Sequence, residues 1–343
     1  MKFSINLLLL ICFPLPLVAR DPAEGVVVRS LASDSLVNDF GEDPTREIAV
    51  YLPDGYHESA RRYPVVYFLH GFNGDHRILG DMAALLDSAI RRKKIRPFIM
   101  VVSNQKTAYG GSFYSNSGVF GNWEDFTALD VVAYVDKNYR TIASREGRGI
   151  AGHSMGGYGA LKVAMHHPDR FCAVYALSPG GLAVVKEYGP DSDTYRELSE
   201  IKTDEQLGQS YFGQVAIAFG KSWSPNPNKP PFYCDVPFTY LNQELVVDQE
   251  VLNKWHRNMP YYMIDDHIEK LKQLNASKLD WGRNAGDRFT LQCEKFSRKL
   301  ENAGIEHFAE EYIGTHSNNI YTESGRIPNQ LLPFFNDYLV FQE

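Results

Sequence analysis

The chain has 343 residues, 44% hydrophobic and 22% charged, the balance of an ordinary globular protein large enough for one sizeable core or two smaller ones. Its 35 basic and 42 acidic residues give a net charge of -7, and no basic patch with interleaved aromatics stands out, which argues against nucleic acid as a partner. The cysteines lack close spacing, which excludes a disulfide framework and a zinc site.

The first element in chain order is a leader. Lys2 supplies a positive start, Ile5 to Val18 is an apolar run short for a bilayer and broken by Pro14 and Pro16, and Leu17-Val18-Ala19 offers a cleavage site. Residues 1–19 therefore read as a signal peptide, with the mature chain secreted or periplasmic and not stably inserted in a membrane. Cys12 leaves with the leader. Cys172, Cys234 and Cys293 remain, enough for one disulfide at most, and Cys172 sits in an apolar run that suits a buried thiol.

Beyond the leader, apolar runs alternate with helical patterns. Strands are predicted at Glu47–Leu52, Pro64–His70, Phe98–Ser103, Gly149–Gly152, Cys172–Leu177, Leu279–Gly282 and Phe308–Ile313. Helices are predicted at Ile78–Arg92, Phe126–Tyr139, Met155–Met165, Phe289–Ala303 and Leu331–Phe341. The run Arg91 to Lys94 is read as a solvated helix end. This alternation gives an α/β fold with a mostly parallel sheet, helices on both faces, and ligands at the carboxyl ends of the strands. Residues 20–343 are read as one domain. Between about residues 180 and 267 the rhythm lapses into loops and short helical pieces, the pattern of a cap over a site. Its Trp223, Phe232, Tyr233, Phe238, Tyr240, Trp255, Tyr261 and Tyr262 suit either an acyl or sugar pocket or the cap's own core, with at least half assigned to the core.

Chemistry concentrates in four places. Gly152-His153-Ser154-Met155-Gly156 joins a short buried strand to a helix, the setting in which a strained turn holds a serine out as a nucleophile. Such a hydroxyl needs a base, and His316, on the loop after the last predicted strand, is the best placed of the ten histidines. The base needs a carboxylate, expected on the loop after the penultimate strand. Asp287 is preferred there over Asp280, which falls inside the strand, although Asp287 is also placed to cap a helix. The oxyanion of the tetrahedral intermediate needs N–H donors, expected from Met155, directly after the nucleophile, and Phe72, after the strand ending Leu69-His70-Gly71. Gly71 leaves the backbone room to approach substrate.

Leu69-His70-Gly71, Gly152 to Ala160, His167-Pro168-Asp169-Arg170-Phe171, Asp287-Arg288-Phe289 and Gly314-Thr315-His316-Ser317 together resemble the esterase D, feruloyl esterase and mycolyltransferase family of α/β-hydrolases. The resemblance covers roughly Glu47 to the C-terminus apart from the cap. It implies the α/β-hydrolase fold, a Ser-His-Asp/Glu triad and neither metal nor cofactor. The stretch from Asp280 to Asp287 is longer than the family's Asp-x-Gly-x-x-Asp-x-Phe pattern. Ser112-Phe113-Tyr114 and Trp123-Glu124-Asp125-Phe126 resemble its substrate-side loop, making Tyr114 and Trp123 pocket candidates. The expected function is a secreted serine esterase acting through an acyl-enzyme on small acyl or feruloyl-like esters, free or linked to polysaccharide. Acyl transfer to a sugar hydroxyl and a silent carbohydrate-binding relative are the alternatives.

Overall fold

In the computed structural model, which describes residues 25–342, every apolar run read as a strand enters one eight-stranded sheet. Its strands are β1 Val26–Ala32, β2 Thr45–Tyr51, β3 Val65–Leu69, β4 Ile99–Ser103, β5 Arg148–His153, β6 Ala173–Leu177, β7 Ala276–Gly282 and β8 Phe308–Tyr312. Their spatial order is β1-β2-β4-β3-β5-β6-β7-β8. β2 runs antiparallel to both of its neighbours, and β3 to β8 are parallel. The leader read at residues 1–19 lies outside the described residues.

Parallel strands covered on both faces should read as unbroken apolar runs, and β3, β4 and β6 are buried at every position. Successive side chains serve opposite cores. Val65, Tyr67 and Leu69 of β3 join the core beneath α2 (Val131–Asn138) and α3 (Met155–His166). Val66 and Phe68 join the core beneath α1 (Ile78–Arg91) and the C-terminal helix Leu332–Tyr338. Each such side chain contributes about 1.5–3 kcal/mol by leaving water. β1 has no counterpart among the predicted strands: it is an edge strand, largely exposed, whose Val26-Val27-Val28 run breaks off at Arg29 and Ser30.

The segment between β6 and β7 carries a helix at Thr194–Glu200, then α4 (Tyr211–Trp223), a hairpin of Phe238–Leu241 with Glu244–Val247, α5 (Gln249–His256) and α6 (Pro260–Leu271). It is fastened to α3 by a buried polar cluster. Lys162 Nζ donates to Ser115 Oγ at 2.6 Å and Asn258 Oδ1 at 2.8 Å, and Tyr158 OH donates to the Asn258 carbonyl at 2.8 Å. Glu124 lies 3.7 Å from the Lys162 ammonium. Burial pulls that ammonium's pKa down to about 8. The Glu124 carboxylate also meets His166 and His167, so these two rings belong to this cluster and are only partly solvated. After β7, α7 spans Asp287–Asn302 and α8 spans Leu332–Tyr338. Among the described residues no helix is long and apolar enough to cross a membrane, and Cys172, Cys234 and Cys293 are separate buried thiols.

Candidate active site

The chain order reverses around β3, which lies between β4 and β5, so the carboxyl ends of β3 and β5 open side by side at a switch point. Leu69 is in register with Gly152, which brings the turn after β3 against the turn after β5. Ser154 occupies that second turn at φ +60°, ψ -118°, a region rarely adopted by a residue with a side chain. The glycines flanking it are dictated by contact. A Cβ on Gly156 would stand 1.9 Å from the Leu69 carbonyl oxygen, and one on Gly152 would stand 2.3 Å from the Gly156 backbone. The strain is held by hydrogen bonds: Ser154 N–H donates to the Leu177 carbonyl at 3.0 Å, and its own carbonyl accepts from Tyr158 and Gly180.

His316 stands on the loop after β8, where the sequence placed it. Its Nε2 is 2.9 Å from Ser154 Oγ. The ring is stacked face to face on Phe289, with centroids 3.6 Å apart, and its backbone carbonyl accepts from His153 Nε2 at 2.8 Å. Burial, with smaller contributions from His153 and the Arg288 cation, lowers the His316 pKa to about 3, so the imidazole is neutral and its Nε2 lone pair can accept the serine proton.

The structure does not bring Asp287 to this imidazole. The partner of His316 Nδ1 is Ser178 Oγ, at 3.1 Å, on the residue directly after β6. Gly286, at φ +88°, turns the chain so that Asp287 opens α7 as an exposed first-turn residue, while Phe289, two positions on, covers the imidazole face. Among the described residues its carboxylate forms no hydrogen bond or ion pair; it sits where it favours the helix dipole. Asp280 is engaged elsewhere. It is fully buried within β7, accepting from Tyr175 OH at 2.6 Å and Arg326 Nε at 2.7 Å, with Arg326 also bound to Glu310. Ser178 was not singled out from the sequence. Its position, first after a buried parallel strand and beside Pro179, is the signal that could have found it.

The two expected oxyanion donors are gathered. Phe72, Ser154 and Met155 line one cavity of about 540 Å³ including its open mouth. Met155 opens α3, so its N–H has no intrahelical partner, and among the described residues the Phe72 N–H donates to no protein group. His70 fixes the loop carrying Phe72. Its Nε2 accepts from Gln105 N–H at 2.9 Å, which leaves Nδ1 to donate to the Gly71 carbonyl at 2.9 Å. Gly71 lies against the nucleophile rather than on the cavity wall: a Cβ there would meet Ser154 Cβ at 3.4 Å.

Tyr114 and Trp123 are not pocket residues. Both are fully buried. Tyr114 packs where a side chain on Gly159 would stand and donates its OH to the His70 carbonyl at 2.8 Å, bracing the loop from below. Trp123 donates to the Phe120 carbonyl at 2.8 Å and lies under the Arg46 guanidinium. The eight aromatics read for the cap also stay off the cavity; Trp223 and Trp255 are buried in the core. The rings that line it are Phe72, Phe113, Tyr188, Tyr211, Phe212, Phe219 and Phe289. Four of them come from the segment between β6 and β7, chiefly from α4, whose Tyr211, Phe212, Val215 and Phe219 recur at helical spacing. Among the described residues no cluster of His, Cys, Asp and Glu could hold a metal ion.

Residues 42–324 match the family model described as Putative esterase. An esterase of Mycobacterium tuberculosis (strain CDC 1551 / Oshkosh) is 34% identical over 147 residues, which is 41% of this chain and 30% of that protein. An endo-1,4-beta-xylanase/feruloyl esterase of Xylanibacter ruminicola is 32% identical over 153 residues, 40% of this chain and 20% of that protein. The chain thus spans under a third of the length of these relatives. A solved structure of a ferulic acid esterase superposes with a TM-score of 0.63 at 22% identity, covering 92% of this chain and 98% of that one, and shares the α/β-hydrolase fold.

Proposed function

The chain belongs to the putative esterase family, and on that premise we propose that it is a serine carboxylic-ester hydrolase working through an acyl-enzyme. The observation that carries the reading is Ser154 Oγ, strained and exposed to the cavity, within 2.9 Å of a neutral, immobilised His316 Nε2. His316 takes the proton as Ser154 attacks the ester carbonyl, and the oxyanion is met by the N–H groups of Met155 and Phe72. His316 then gives the proton to the leaving alcohol. Water activated by the same nitrogen releases the acid. With Nε2 accepting from Ser154, Nδ1 carries the proton and donates it to Ser178 Oγ, which orients the ring where a carboxylate does so in other serine hydrolases.

The cavity's rings favour a flat, aromatic acyl group of the feruloyl kind, and the leader favours action outside the cytoplasm, on small esters or on esters attached to polysaccharide. Labelling with a fluorophosphonate probe, followed by peptide mapping, tests the assignment. We expect label on Ser154, hydrolysis of methyl ferulate and p-nitrophenyl acetate, and a loss of roughly 10⁴-fold or more in kcat for Ser154→Ala. Label elsewhere, or activity surviving in Ser154→Ala, sinks the reading.

A further inference from the structure

Apart from Ser154 and Gln292, the side chains on the described cavity wall are aromatic or aliphatic, with one exception. Arg288 is the one charged side chain on its described wall. Its guanidinium lies 5.3 Å from the Phe212 ring centroid and 5.0 Å from that of Phe289, so two rings occupy its surroundings without supplying an acceptor. Among the described residues no carboxylate stands within ion-pair distance of it and no protein group accepts a hydrogen bond from it. Asp287, its neighbour in sequence, makes no pair with it. The backbone beneath is fixed: Gln292 donates its amide to the Arg288 carbonyl while its Oε1 accepts from Leu182 N–H at 2.6 Å. A chain of net charge -7 thus leaves an unpaired, ring-flanked cation on the wall of the cavity that holds Ser154.

A guanidinium recognises a carboxylate through two parallel N–H donors, and its strength rises where water is thinned by apolar neighbours. We infer that Arg288 anchors a carboxylate carried by the ester, so that the preferred substrates are anionic esters. The inference rests on the esterase reading above and deepens it by naming the substrate class. Phe289 joins Arg288 to His316, the residue that protonates the departing oxygen, so the carboxylate belongs on the alcohol half of the ester. Such alcohols include uronic acids and hydroxybenzoates.

Two pairs of esters test this. 4-Acetoxybenzoate against its neutral methyl ester places the charge on the alcohol half, and phenyl hydrogen adipate against phenyl hexanoate places it on the acyl half. We expect wild-type kcat/KM to favour 4-acetoxybenzoate by roughly 10- to 100-fold, the preference to collapse in Arg288→Met, and Arg288→Lys to keep part of it. Binding of 4-acetoxybenzoate to the Ser154→Ala protein should weaken by a similar factor when Arg288→Met is added, and this readout needs no turnover. A preference in the adipate pair instead moves the anchored carboxylate to the acyl half. No preference in either pair, with the neutral esters turned over normally, overturns the anchor and leaves the esterase standing. Failure on all four esters, with Ser154 unlabelled, removes the esterase reading itself. Circular dichroism of each variant separates lost recognition from lost fold.

Discussion

The two sides of the site are held in place by different forces. On the nucleophile side, backbone lies against backbone: Gly152 and Gly156 exist because the turns after β3 and β5 touch, and Ser154 is strained as a result. On the acid side, the backbone of the stretch Arg283–Phe289 is pinned to the end of β8 and the histidine loop only as far as Asn284, through Arg283 N–H to the Tyr312 carbonyl and Asn284 N–H to the Gly314 carbonyl. Beyond Gly286, whose surroundings are open, side chains compete for the imidazole, and Phe289 and Ser178 take the places that a carboxylate would need. Where backbones collide, few residue types fit. Where side chains compete, several do.

The largest expected effect lies on the packed side. Gly156→Ala would drive a methyl group into the Leu69 carbonyl, at a cost of about 4 kcal/mol or more, which urea unfolding would register; a stable variant would show that the two turns are free to part. Next is acid. Burial lowers the pKa of both His70 and His153 to about 4. The unfolded chain binds protons below about pH 6.5 that the folded chain refuses, so this part of the stability is complete above that pH and is lost as pH falls toward 4. The loss is roughly 2–3 kcal/mol per ring. Stability measured by urea at pH 7 and 4.5 should drop accordingly, with both rings still neutral by NMR at pH 5; rings that titrate normally would contradict their burial.

The smaller effects lie on the contested side. Ser178→Ala removes the acceptor at Nδ1, and we expect kcat to fall about 10- to 100-fold with KM little changed. Asp287→Asn should change kcat by less than about 3-fold and stability by about 0.3–1 kcal/mol through the helix dipole. If the ranking of these two is reversed, with Asp287→Asn losing several orders of magnitude, the carboxylate reaches His316 during turnover and the family's triad is restored.

The same division explains what could be read from the sequence. The buried strands were legible because a parallel sheet covered on both faces demands unbroken apolar runs, as at Val65–Leu69 and Ile99–Ser103. Ser154 and His316 were legible because a strand-turn-helix and a post-strand loop are local features. β1 was not, since its short Val26-Val27-Val28 run breaks off at Arg29 and Ser30 on an exposed edge. Tyr114 and Trp123 were misread because a family likeness locates a loop but does not say which way its rings turn; here they turn into the core. Arg288 carried no signal of its own until the segment between β6 and β7 brought Phe212 beside its guanidinium.

The stack of Phe289 on His316 gives the base a built-in reporter. An aromatic ring 3.6 Å above the imidazole shields the nuclei beneath it, so the carbon-bound protons of His316 should resonate upfield of those of an unstacked histidine. That displacement would disappear in Phe289→Leu. It would also respond to any ligand that slides the rings apart, so occupancy of the cavity can be followed in the spectrum of the residue that performs the proton transfer.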